Sequence, residues 1–307
     1  MVDLSLTPAV SNDFDQLIRA TAADGFIRAV GVVSTHTVQE ARQRHHLSYV
    51  ATVALGRTIS AGLLLAANLK QEQARINLQV KGDGPLGSLW VDAGSDGTVR
   101  GYVEHPAVEL PLTESSQLNV GQAVGRYGYL HVIRDQGYGI PFSSSTELVN
   151  GEIGEDITRF LASSEQTPSI IVLGVLVDTH GVKAAGGLLF QLLPDAPLSL
   201  IAELEERISK VETLSPMLAA GKTLPMILEE FIGDLELTIL PGLQPVRFHC
   251  KCSRGRVKGA LRILGEQELR SMIVEDKGAE ATCHFCNEVY QVTEAELEEL
   301  VQQLQAS

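Results

Sequence analysis

Residues 49–69, YVATVALGRTISAGLLLAANL, are apolar or small at almost every position and come close to the length that crosses a membrane. Arg57 stands near the middle, and serine, threonine and glycine recur along the stretch. A charge at the centre of a bilayer is costly, so the stretch reads as a helix buried in the centre of a soluble domain. A helix that is apolar all round needs structure on every side. Its sequence neighbours supply that structure. Residues 76–103 fall into short alternating runs, INLQV, LGSLWVDA and TVRGYVE, separated by turn signals at Gly82-Asp83-Gly84-Pro85 and Ser95-Asp96-Gly97. That is an antiparallel meander. Further strands are expected over 26–34, 129–133, 144–148, 170–177 and 183–192, and a capped helix over 154–164. Upstream, Asn12 or Asp13 is expected to cap a first helix through Leu17, Ile18 and Ala20, and a helical stretch to run from Val38 to Lys70, polar at its start. The fold class is α+β: residues 1–193 form a mixed β/α core domain around a buried central helix.

After Pro194 and Pro197 the composition changes. Residues 198–211 form an amphipathic helix with Leu198, Ile201, Leu204 and Ile208 on one stripe, and a short helix follows at 224–232. Between residues 198 and 240 there are eight acidic residues and three basic ones. We read 194–240 as an acidic helical linker whose apolar stripe needs something to lie on. Residues 241–307 carry all the cysteines and end in an acidic helix over 294–305.

The chain of 307 residues has 44% hydrophobic and 20% charged residues, the balance of a soluble globular protein. Its formal net charge of -14 opposes general binding to nucleic acid or to an anionic membrane. The first dozen residues lack a basic start and an apolar run, so a cytoplasmic protein is expected.

Several motifs fail in context. Gly82-x-Gly84-x-x-Gly87 matches a dinucleotide fingerprint, but Pro85 lies inside it and a strand follows where a helix would be needed. Gly221-Lys222-Thr223 resembles the end of a phosphate loop, but Pro216 stands where the first glycine belongs. His45 and His46 point to different helix faces and do not make a shared metal site. No nucleophile elbow or HExxH motif is present. An enzyme reading has little support.

The cysteines are informative. The only four are Cys250-x-Cys252 and Cys283-x-x-Cys286, with thirty residues between the pairs. Tight pairs in a chain with no signal sequence point to metal rather than to disulfide staples. Four soft thiolates in a tetrahedron select zinc, one ion per chain. His249 and His284 stand beside ligands and suit hydrogen bonding to the site better than direct ligation. Such sites are most often inert staples for small domains. Two features point to chemistry instead. Zinc–sulfur bonds of about 2.3 Å place the sulfurs only about 3.7 Å apart, close enough to couple once the metal is attacked. Arg247, Lys251, Arg254, Arg256 and Lys258 gather around the first pair, and positive charge favours thiolate. The alternative use of that patch is nucleic-acid contact, as in a zinc ribbon with a static metal. Losing zinc forfeits on the order of 10–16 kcal/mol, whereas two disulfides closing such short loops return only about 1.6–1.9 kcal/mol each. Oxidation is therefore expected to unfold this unit and to release the acidic linker, whose apolar stripe is expected to lean on it.

PVRFHCKCS (245–253) and CHFCNEVY (283–290) closely resemble the zinc-switch motif of the heat shock protein 33 family of redox-regulated chaperones. ALGRT (54–58), KGDGPLG (81–87), SSEQTPS (163–169) and AAGG (184–187) are similar to that family's core segments, in the same order. The resemblance implies a mixed α/β core, a helical linker and a C-terminal zinc domain, with Cys250, Cys252, Cys283 and Cys286 ligating zinc in an inactive reduced form. It implies that oxidation pairs Cys250 with Cys252 and Cys283 with Cys286. Zinc then leaves, the linker unfolds, a homodimer forms, and unfolding client proteins bind without nucleotide before passing to an ATP-dependent chaperone system.

Overall fold

The structure is a computed structural model that describes residues 14–197, 199–211 and 213–305. Asn12 and Asp13, expected to cap a helix, and Leu198, expected on the linker stripe, lie outside the described residues. The chain forms two compact units, Met1–His249 and Cys250–Ser307.

The first unit opens with a correction. The segment expected as a first helix is strand β1 (Gln16–Ala22). It pairs along its whole length with β2 (Ile27–Val33) across a tight turn in which Ala23, Asp24 and Gly25 all have positive φ. That pairing outweighs the local capping signal. The single helix expected over 38–70 is two: α1 (Thr35–His45) ends where His46 turns left-handed, and Ser48 caps α2 (Tyr49–Ala66) by accepting from the Ala51 N–H at 3.1 Å. The meander follows as β3 (Arg75–Lys81), β4 (Ser88–Gly94) and β5 (Thr98–Val103). After α3 (Val120–Val124) come β6 (Tyr129–Asp135), β7 (Phe142–Glu147), α4 (Gly154–Ser164), β8 (Ser169–Asp178) and β9 (Gly181–Leu192). The segment beyond holds α5 (Ser199–Lys210), α6 (Leu214–Ala219) and α7 (Leu224–Ile232), then the short strands β10 (Thr238–Ile239), β11 (Gln244–Pro245) and β12 (Arg247–Phe248).

Two sheets result. One runs β10-β1-β2-β9-β8, with β11 also on β1; the other runs β12-β5-β4-β3-β6-β7. Helix α2 lies between them, packing on β2, β8 and β9 from one and on β3, β4 and β5 from the other. It is long and apolar enough to span a membrane, yet 89% of it is buried inside this unit. Arg57, the charge within it, donates to Glu152 Oε2 at 2.6 Å, and Glu152 Oε1 accepts from the Gly121 N–H at 2.9 Å.

The second core lies on the other face of the β1-containing sheet. Leu204, Met217, Leu224, Ile227 and Phe231 from α5, α6 and α7 pack there with Ile18, Ala20, Leu188 and Phe190. The amphipathic stripe, expected to lean on the cysteine-bearing unit, packs instead on the core sheet, whose apolar face offers Ile18, Ala20, Leu188 and Phe190 to Ile201, Leu204 and Ile208. Residues 244–249 then run back along both sheets, where Phe248 sits under the Arg44 guanidinium at 5.4 Å.

The second unit holds α8 (Arg254–Leu264), α9 (Glu266–Glu275), a hairpin of β13 (Gly278–Thr282) and β14 (Val289–Thr293), and α10 (Glu294–Gln305). Its core is small: among the described residues Leu261, Leu269, Val292, Leu297, Leu300 and Val301 form its buried apolar cluster.

Candidate metal centre

Local geometry presents the second cysteine pair. Thr282 and Val289 close the β13–β14 ladder, and the turn beyond them is a knuckle. The Cys283 N–H donates to the Glu288 carbonyl, and the Cys283 carbonyl accepts from the N–H groups of Cys286 and Asn287. Asn287 takes a positive φ of 58°, which asparagine tolerates better than most residues. Cys250 and Cys252 lie just before Ser253, whose hydroxyl caps α8 by accepting from the Arg256 N–H at 3.3 Å.

The four sulfurs all lie within 4.8 Å of one another. Two close contacts cross between the pairs: Cys250 to Cys283 at 3.7 Å and Cys252 to Cys286 at 3.3 Å. All four are free thiols; Cys286 is buried and the others are half-buried. Burial pushes the Cys283 and Cys286 thiols up. Four crowded sulfurs in such a place favour a cation that replaces their protons. The donor set fits a metal ion. Among the described residues the gathered ligand atoms are these four sulfurs and no histidine nitrogen. His249 belongs to the first unit, where its N–H donates to the Val99 carbonyl at 2.8 Å.

Two residues were not legible in the spacing. Tyr290, on β14, donates its hydroxyl to Cys252 Sγ at 3.1 Å, and that bond pushes the phenol's pKa up. Glu296 accepts from the Arg254 side chain at 2.6 Å and from the Lys258 ammonium at 2.9 Å, and from the Thr293 N–H at 2.9 Å. These donors hold its carboxyl well below the usual carboxylate range, Arg254 foremost. The Thr293-x-x-Glu296 capping box is the signal that could have found it. Two of the five basic residues expected to favour thiolate are thus paired with a carboxylate, and Arg247 lies in β12 of the first unit. The patch is correspondingly weak as a phosphate-binding surface.

The family described as "Hsp33 protein" matches residues 15–293. The chain belongs to the Hsp33 family. A 33 kDa chaperonin from Synechococcus sp. strain JA-2-3B'a(2-13) is 64% identical over 95% of this chain and 92% of its own. That of Gloeobacter violaceus is 59% identical over 95% and 97%. The crystal structure of the Thermotoga maritima 33 kDa chaperonin, a heat shock protein 33 homologue, is similar with a TM-score of 0.87 and 35% identity, covering 95% of this chain and 99% of that one. Membership makes the chain a chaperone that binds unfolded client proteins, and not an enzyme. As the family resemblance implied, the mixed α/β fold comes with a C-terminal cluster of four cysteines that can hold a metal ion.

Proposed function

We propose that this chain is an ATP-independent holdase, inactive when reduced and zinc-bound, and activated by oxidative stress. The observation that carries the reading is the gathering of four thiols in a unit with only a small apolar core. A zinc ion held by Cys250, Cys252, Cys283 and Cys286 would supply charge neutralisation and most of that unit's folding energy. Oxidation forms two disulfides, Cys250 with Cys252 and Cys283 with Cys286. Each pair of zinc-bound thiolates would give up two electrons to hypochlorite or peroxide, which takes its protons from water and is reduced to chloride and water or to water, and the zinc would leave as a dication once its ligands are spent. Pairing within each motif ties only short loops, so nothing joins the two motifs once the ion has gone. Pairing across the motifs would staple them together.

In this reading residues 1–193 are the core domain, 194–240 the linker and 241–307 the redox-switch domain. The apolar sides of α5, α6 and α7 cover a sheet face rich in Ile, Leu and Phe, the chemistry an unfolding protein presents. Release of that segment bares the face, clients bind there, and oxidised protomers form a homodimer. Clients pass later to an ATP-dependent chaperone system. The protein works in the cytoplasm, where a reducing resting state keeps the switch off. The test is light scattering from an aggregating client, with zinc release followed alongside. Oxidant with mild heat should release one zinc per chain and suppress scattering; equal suppression by the reduced protein would end the gating claim.

A further inference from the structure

β1 is an outer strand of its sheet, and the chain's own later segment covers its edge. Thr238 and Ile239 pair with Thr21 and Ala20, and Gln244 and Pro245 with Leu17 and Gln16, all antiparallel. The Leu240 N–H donates to the Arg19 carbonyl at 2.8 Å and the Val246 N–H to the Asp15 carbonyl at 3.0 Å. Alternate residues of an antiparallel strand turn their main-chain groups to the same side. Leu17, Arg19 and Thr21 therefore direct theirs at the covered edge.

The cover is a poor strand. Between its two short ladders the chain makes an excursion through Pro241, Gly242 and Leu243 opposite the single residue Ile18, with Gly242 at φ 100°. Pro241 and Pro245 have no N–H to give. Leu240 is 38% exposed. β1 itself is a regular apolar strand, with Leu17, Ile18, Ala20 and Ala22 buried. A proline-free extended chain would pair along all of it without an excursion. The built-in segment holds its place through the high effective concentration of an intramolecular partner.

We propose that the β1 edge is a docking site for an extended, proline-poor segment of an unfolded client, and that residues 238–245 occupy it as a displaceable mimic until the linker is released. The proposal rests on the gated-chaperone reading. Main-chain pairing reads no side chains, which suits a chaperone that must accept many sequences.

The probe is a labelled eight-residue peptide of alternating valine and threonine, compared with the same peptide N-methylated at alternate residues. N-methylation keeps the side chains and removes the donors on one edge. Fluorescence anisotropy with the oxidised full chain should show the methylated peptide binding about tenfold more weakly, the worth of one or two main-chain hydrogen bonds. Equal binding overturns the proposal, because it assigns capture to an apolar face. Binding that weakens as protein concentration rises also overturns it, because a second copy's 238–245 then owns the edge. Thr21→Pro supplies an arm on the protein: proline is tolerated on an edge but removes a donor there. The reduced variant should exchange the amides of 238–245 faster, while the oxidised variant binds the unmodified peptide about three- to tenfold more weakly. Faster exchange with undiminished binding means the edge serves the linker alone and overturns the proposal. Should that variant fail to fold, the methylated peptide still decides. Amide exchange with client bound separates the two readings. Protection retained across 238–245 overturns gating and edge together. Protection lost there, with Leu17, Arg19 and Thr21 still exchanging, overturns the edge alone.

Discussion

Cys283 has two tasks: its sulfur lies in the four-thiol cluster, and its main chain closes the knuckle that presents Cys286. Serine keeps the second task and removes the soft ligand. Cys283→Ser should therefore lower zinc affinity by more than the roughly 10–100-fold that loss of an outer hydrogen-bond partner costs, with the turn intact. Competition with a chromogenic chelator measures this, and unchanged metal content would remove Cys283 from the ligand set. Tyr290 is such an outer partner, and Tyr290→Phe should cost about tenfold in the same assay. Glu296 carries a pH dependence. Its folded pKa lies below the ordinary value of about 4.3 because Arg254, the Thr293 N–H and Lys258 favour the carboxylate. The stability it gives is complete above that ordinary value and is lost as pH falls through the lowered one. Melting of the second unit should decline between neutral and acid pH more steeply in the wild type than in Glu296→Gln. Parallel curves would show that these contacts contribute nothing.

At the scale of elements, α2 can be buried on all sides because glycines let its neighbours close in. A Cβ on Gly56 would lie 2.8 Å from Val38 Cγ1 and 3.0 Å from Val175 Cγ2. Gly56→Val should overpack this crossing at a cost of about 1–3 kcal/mol, read as a lower denaturation midpoint of the first unit with the second unit's metal content unchanged. A midpoint within error of the wild type would mean that α1 and β8 yield easily. The apolar run of α2, the alternation of β3, β4 and β5 and the acidic helix Glu294–Gln305 were legible because each follows its own period. β1 was misread because a capping signal stood before a strand whose partner, β2, decides its conformation. The break at His46 depends on a left-handed residue that periodicity does not register. Helices α6 and α8 carry Pro216, Gly255 and Gly259 and look like loops by composition. The cysteine spacing exposed the thiol cluster, whereas Tyr290 and Glu296 reach their partners only through the register of β13 with β14 and the start of α10.

The whole molecule joins units of unequal resources. The first holds two apolar cores, one around α2 and one beneath α5, α6 and α7. The second, Cys250–Ser307, packs one cluster of six buried apolar residues, among them Leu269 and Leu297, and is small enough that such a core is marginal by itself. A core of that kind supplies about 3–5 kcal/mol at best, against the roughly 10–16 kcal/mol of a four-thiolate zinc site. Metal removal alone, under reducing conditions with no disulfide formed, should therefore unfold the second unit and spare the first. Amides of α8, α9, β13, β14 and α10 should lose their protection from hydrogen exchange in excess chelator, while those of β2, β9, β3 and β4 keep theirs. Calorimetry should show the remaining transition unchanged in midpoint. Exchange across α5, α6 and α7 then divides two cases. If their protection falls with that of the second unit, the metal governs the linker and oxidation is one way of removing it. If the linker holds while the second unit unfolds, disulfide formation must act on it by a route other than loss of the ion. Full protection of α8, α9 and α10 without metal would show that the small core suffices, and a switch built on metal loss would have nothing to release.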